Sequence, residues 1–136
     1  MTTSLDPYLS FGDNARDAME FYKSVFGGEL TVSTFGDFQL SDNPADVDKV
    51  MHARLVSPGG LVLMGADTPT GMEGGTSNGT LSLSGPDEAE LRDFWDKLSD
   101  GGEVGTPLEQ APWGDVFGMC TDKFGVSWMV DIVQQE

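Results

Sequence analysis

"EFYKSVFGGEL", residues 20–30, reads as the last turns of a helix, two glycines, and the start of a strand. "DFWDKLSDGGEV", residues 93–104, repeats it with one residue inserted. Phe21 answers to Phe94, Tyr22 to Trp95, Gly27-Gly28-Glu29 to Gly101-Gly102-Glu103, and Leu30 to Val104. A glycine just past a helix can take the left-handed conformation that closes it, and a second frees the chain to reverse. The device sends a helix straight back into a strand. Its recurrence says that the chain carries one unit twice.

The flanking residues fill in that unit. In "LDPYLSF", residues 5–11, Leu9 and Phe11 point one way, Tyr8 and Ser10 the other. Asp13 or Asn14 offers an N-cap. Ala15, Ala18, Met19, Tyr22, Val25 and Phe26 then have the spacing of an amphipathic helix. Strands are predicted at 29–35, 49–57 and 61–67, the last two joined by a turn at Pro58-Gly59-Gly60. After the Gly-rich stretch 68–79 the order recurs. "TLSLS" at 80–84 alternates, and Gly85-Pro86 suits a helix start with proline at the first helical position. Leu91, Phe94, Trp95 and Leu98 repeat the apolar stripe, and strands follow near 103–111, 114–121 and 126–133. Gly60 to Met64 also matches Gly125 to Met129.

The predicted fold is α+β: tandem βαβββ modules, 4–67 and 78–134, joined by a Gly-rich linker, 68–77. A mostly antiparallel sheet with one helix covers only one of its faces. Two such sheets set edge to edge would curve into a concave cleft walled by the uncovered faces, a ligand site by geometry.

Composition narrows the partners. With 23 acids against 7 bases the formal charge is −16. Such a surface repels nucleic acid and anionic membranes. Its field favours a cationic or neutral small-molecule ligand. No apolar run approaches a membrane span and "MTTSLDP" is no signal peptide, so a cytoplasmic location is expected. The one cysteine, Cys120, excludes an internal disulfide and a cysteine zinc site, and it fits a buried structural position better than a reactive thiol.

The tandem unit closed by "FY…FGGEL" resembles the vicinal oxygen chelate superfamily, which includes glyoxalases, bleomycin-resistance proteins and dioxygenases. "PYLSF", "AMEFYKSVFGGEL", "VMHARL", "LVLMGAD", "LSLSG" and "PWGDVFGMCTDKFGVSWMV" are similar to its PhnB-like branch. The resemblance implies paired modules, a homodimer, and a cleft on the concave side. It also implies a divalent metal held by the first and last strands of each module, typically by His or Gln on the first and Glu on the last. The last-strand positions here are Met64 and Met129; the first-strand candidates are Asp6 or Tyr8, and Asn78 or Thr80. Thioethers break a hard donor set, so no metal ligands and no cofactor are assigned, with a divalent metal as the alternative.

His52 is the only histidine. On a regular strand it shares a face with Val50 and Arg54, opposite Met51, Ala53 and Leu55. It is either a satisfied structural residue or a cleft-lining base or hydrogen bonder. Asp67 holds a loop or orients His52. Trp113, beside a turn, either stacks on a ligand or packs in the core. The ligand-binding set is Tyr8, Ser10, His52, Arg54, Met64, Trp113, Phe117 and Met129, with His52 the candidate catalytic residue. Trp128, opposite Met129 on its strand, either lines the cleft or packs under a helix. The methyltransferase label attached to some PhnB-like proteins finds no support, because neither strand-to-helix turn carries G-x-G-x-x-G. The functional expectation is a metal-independent binding protein. The alternatives are a lyase, isomerase or dioxygenase working through His52, with Arg54 or Asp67, and a dimeric partner-binding module.

Overall fold

The computed structural model describes residues 6–38, 44, 46–68 and 79–134, so the linker expected at 68–77 lies almost wholly outside the described residues. The chain divides into two compact units, Met1–Asn78 and Gly79–Glu136. The first contains β1 (Tyr8–Phe11), α1 (Ala15–Phe26), β2 (Glu29–Thr34), a 3-10 turn (Gly36–Phe38), β3 (Val50–Val56) and β4 (Val62–Asp67). The second contains β5 (Thr80–Gly85), α2 (Glu88–Ser99), β6 (Glu103–Gln110), β7 (Val116–Thr121) and β8 (Ser127–Ile132). Each forms one four-stranded mixed sheet, ordered β1-β4-β3-β2 and β5-β8-β7-β6. The first and last strands of each unit pair parallel; the other neighbours are antiparallel.

Each helix lays its apolar stripe on one face of its sheet. Ala15, Ala18, Met19, Tyr22 and Val25 of α1 are buried, with Leu9, Phe11, Ala53, Leu55 and Leu63 of the strands. Leu91, Trp95 and Leu98 of α2 are buried, with Trp128, Val130 and Ile132. Full burial of such a side chain is worth about 1.5–3 kcal/mol. Trp95 fits because Gly118 has no side chain; a Cβ there would stand 2.9 Å from the tip of the indole.

The glycine pairs do more than stop the helices. Gly27 has φ 75° and ψ −174°. That region is essentially reserved for glycine, and its extended ψ leads directly into β2 instead of winding on. Gly28 lies against β3, and a Cβ on it would collide with the Val56 carbonyl oxygen. Gly102 meets the Thr121 carbonyl oxygen of β7 in the same way. The repeated "GG" is therefore one close backbone approach used twice.

Three local expectations need correction. Helix α2 starts at Glu88, and Asp87 caps it by accepting from the Glu90 N–H, so Pro86 stands before the cap and not at the first helical position. Asn14 occupies the N-cap of α1 but makes no side-chain cap bond. The carboxylate of Asp67, at the far end of β4, accepts from the Ala15 N–H at 2.8 Å instead. Finally, Val50 does not share the face of His52. Ser33 pairs with His52 but Thr34 pairs with Val50, so Met51 is an extra residue. This β-bulge reverses the alternation. Val50 is buried on the helix side, and its N–H donates to the second oxygen of Asp67 at 2.8 Å.

Candidate functional site

The open face of the first sheet, away from α1, gathers residues from all four strands. Tyr8, Met64, Arg54 and Thr31 form one cross-strand row, by direct register. Ser10 and Ala66 pair in the next, with His52 and Ser33 paired on β3 and β2. Five expected site residues, Tyr8, Ser10, His52, Arg54 and Met64, thus lie on one face, because each has the opposite parity to a buried neighbour.

Two of them touch. The Tyr8 and His52 rings stack, with centroids 5.6 Å apart and 29° between planes. A 3.1 Å hydrogen bond joins the Tyr8 hydroxyl to His52 Nδ1. Burial pushes the Tyr8 phenol above its ordinary value, so it stays protonated at neutral pH. The bond orients the imidazole ring, and the tautomer sets which partner donates. Tyr8 is nonetheless 49% exposed, so about half of the side chain stays outside the core.

The open face of the second sheet carries Ser82, Met129, Met119 and Thr106 in one row, and Ser84, Asp131, Phe117 and Glu109 in the next. Phe117 and Met129 are therefore on this face as expected. Trp113 lies in the β6–β7 turn, 63% exposed, which excludes the core reading. Its ring meets Phe117 edge-on, at 5.5 Å and 64°. Trp128 takes the opposite side: it is buried, and its indole N–H donates to Asp122.

Two residues of this face were missed by sequence reasoning. Ser82 stands opposite Met129 as Tyr8 stands opposite Met64. Thr80 pairs with Ser127 instead, and Asn78 lies outside the described residues. The alternation of "TLSLS" held the signal, since Leu81 and Leu83 facing inward put Ser82 outward. Asp131, two residues past Met129, is the other. Its Oδ1 is buried with no hydrogen-bond partner among the described residues. Burial, then a hydrogen bond with Asp115 and the Asp115 charge, raise its carboxyl above the ordinary range.

Asp67 takes the loop-holding role: both oxygens are committed to backbone N–H groups at Ala15 and Val50, so it does not orient His52. A polar recess of about 370 Å³ opens beside it, lined by Asp13, Arg16, Asp17, Asp48 and Lys49 among others. This recess lies at the start of α1 and includes none of the expected site residues. Cys120 is buried against α2's side of its sheet, and burial with the nearby Asp122 charge pushes its thiol up to about 11.

These two units define a family. Residues 4–130 match the model of the Glyoxalase/Bleomycin resistance protein/Dioxygenase superfamily, and the chain belongs to it. It is 31% identical over 143 residues to protein YjdN of Escherichia coli, covering 97% of each chain. The crystal structure of protein PA1353 from Pseudomonas aeruginosa is similar with TM-score 0.82 and 39% identity, covering 96% of this chain and 97% of that one. A Bacillus cereus protein described as a putative 3-demethylubiquinone-9 3-methyltransferase, PhnB protein, is similar with TM-score 0.72 and 26% identity, over 95% and 98% of the two chains.

The metal of the superfamily does not fit the residues present. Its last-strand positions carry Met64 and Met129; the first-strand residues in register with them are Tyr8 and Ser82, and Asp6, the other first-strand candidate, stands before β1. A phenol, a hydroxyl and two thioethers give no carboxylate or imidazole to a hard or borderline dication. Among the described residues no group of three or more His, Cys, Asp or Glu side chains is placed to hold a metal. No helix among them is long and apolar enough to cross a membrane.

Proposed function

We propose that this protein is a small-molecule-binding member of the superfamily, of its PhnB-like branch. It takes an organic ligand on the open sheet faces without the usual metal, and it works as a homodimer. The observation that carries this reading is the convergence of Tyr8, Ser10, His52, Arg54 and Met64 on one face, with a half-exposed aromatic ring and a soft thioether side by side. Aromatic rings, methionine and a few placed polar groups are the usual lining of organic-ligand sites. Trp113 and Phe117 extend the same chemistry to the second sheet. The methyltransferase wording of the Bacillus cereus protein is not carried over, because the β1–α1 and β5–α2 connections lack a glycine-rich nucleotide loop.

The test is native mass spectrometry with elemental analysis on untagged protein never exposed to chelator. The expected result is a metal-free dimer, with any adduct organic. A stoichiometric transition metal would overturn the reading.

One observation favours a second reading, an enzyme of the same fold. The Tyr8–His52 hydrogen bond orients the imidazole on the open face, and a positioned imidazole is the commonest general base. Once a substrate is in hand, His52→Gln separates the two: turnover lost with binding kept supports the enzyme.

A further inference from the structure

The few basic side chains of this acidic protein are mostly engaged or set on helix surfaces. Lys49 pairs with Asp46, Arg92 with Glu88 and Lys97 with Asp93, and Lys123 lies over the Phe124 ring. Arg16 and Lys23 are exposed on α1. Arg54 differs from all of these. It sits in β3, an inner strand of its sheet, on the open face. Its guanidinium makes no ion pair or hydrogen bond among the described residues. Glu29, its diagonal neighbour on β2, does not pair with it. In its row stand Met64 and then Tyr8, about 10 Å across two strand spacings. His52 is two residues along the same strand, about 7 Å away on the same face.

Resting on the binding reading above, we infer that this face receives a small planar organic acid. Arg54 takes the carboxylate, Met64 and the Tyr8 ring carry the apolar body, and the His52 imidazole lies beside them. A guanidinium offers a planar fork matched to a carboxylate, which a lysine does not. A strand fixes the fork's base more firmly than a loop does. The net charge of −16 argues at long range for a cationic or neutral ligand. At physiological salt that field is screened beyond about 8 Å, whereas direct contact with a guanidinium is not. The local pair therefore decides the bound species, and the field slows its approach.

The test is an NMR titration of 15N-labelled protein at pH 7 with benzoate, benzamide and benzylamine, one ring in three charge states. Benzoate is expected to move the amides of Tyr8, His52, Arg54 and Met64, with a Kd at least tenfold below that of benzamide. Arg54→Met should remove that preference, bringing the benzoate Kd to within about twofold of the benzamide Kd of the same variant; Arg54→Lys should restore only part of it. Equal affinity for benzoate and benzamide, or a preference that survives in Arg54→Met, overturns the inference while the face still binds. Tightest binding of benzylamine overturns it in favour of a cationic ligand. If none of the three moves amides on this face, the binding reading falls with it.

Discussion

The Val56 carbonyl oxygen occupies the place where a side chain on Gly28 would begin. A Cβ there would also stand 2.7 Å from the Ser57 Cα, so backbone, not a movable side chain, is in the way. Gly28→Ala should therefore destabilise the protein by about 3 kcal/mol or more, from strained φ plus overlap. Gly60→Ala is the control. Its φ is 91° but nothing lies within 4 Å of its Cβ, so it should cost only about 1–2 kcal/mol. Urea denaturation of both variants checks the difference; equal losses would mean that the close approach carries no weight.

Asp67 is the single acceptor for two inward-turned N–H groups, one at the start of α1 and one at the β3 bulge. Removing it strands both donors, each at about 1–3 kcal/mol. Asp67→Ala should cost about 2–5 kcal/mol, and Asp67→Asn less, since one oxygen remains. Chemical denaturation reads this, and hydrogen exchange at the Val50 amide should speed up in both variants.

Cys120 should be inert in the native state. Its thiol is pushed from 9.0 to about 11, so at pH 8 ionisation alone slows its reaction with a disulfide reagent about a hundredfold. Burial slows it further. Reaction should appear only with unfolding, and a fast native-state reaction would exclude the buried thiol.

Asp131 gives a pH dependence of unusual sign. Its carboxyl is raised in the folded protein, first by burial and then by Asp115. The folded state therefore holds this proton more tightly than the unfolded state. Its contribution is present below the ordinary aspartate value and is lost as pH rises through the raised one. Asp131→Asn should raise the melting temperature at pH 7 and have little effect near pH 3. Equal shifts at the two pH values would remove the proton from the argument.

Much of this fold was legible because periodicity reports burial. The alternation of Tyr8-Leu9-Ser10-Phe11 and the stripe from Ala15 to Val25 each record one covered and one uncovered side. The face of the candidate site followed from the same parity for Tyr8, Ser10, Arg54 and Met64. Val50 escaped it, because a bulge leaves no trace in hydrophobicity: Val50 and Met51 are both apolar, and only pairing with β2 shows which one is extra. The outward face of Ser82 was legible in the same way, but its place opposite Met129 was not, because register is a property of two strands and not of one.

The sequence alone determined the repeated βαβββ unit and its close glycine turns. Those depend on neighbours along the chain, on helix and strand periods, and on the φ values open only to glycine. It also determined the absence of carboxylate and imidazole from the last-strand ligand positions, Met64 and Met129. Tertiary structure decided what needs residues far apart in the chain. It set Asp67 to hold the start of α1 and the bulge 52 and 17 residues away. It set Tyr8 to orient His52 across 44 residues. It also left the Arg54 guanidinium, in an inner strand, without an ion pair or hydrogen bond among the described residues. Directional hydrogen bonds and ion pairs form only where the sheet brings their atoms within about 3 Å, and no period along the chain encodes that distance.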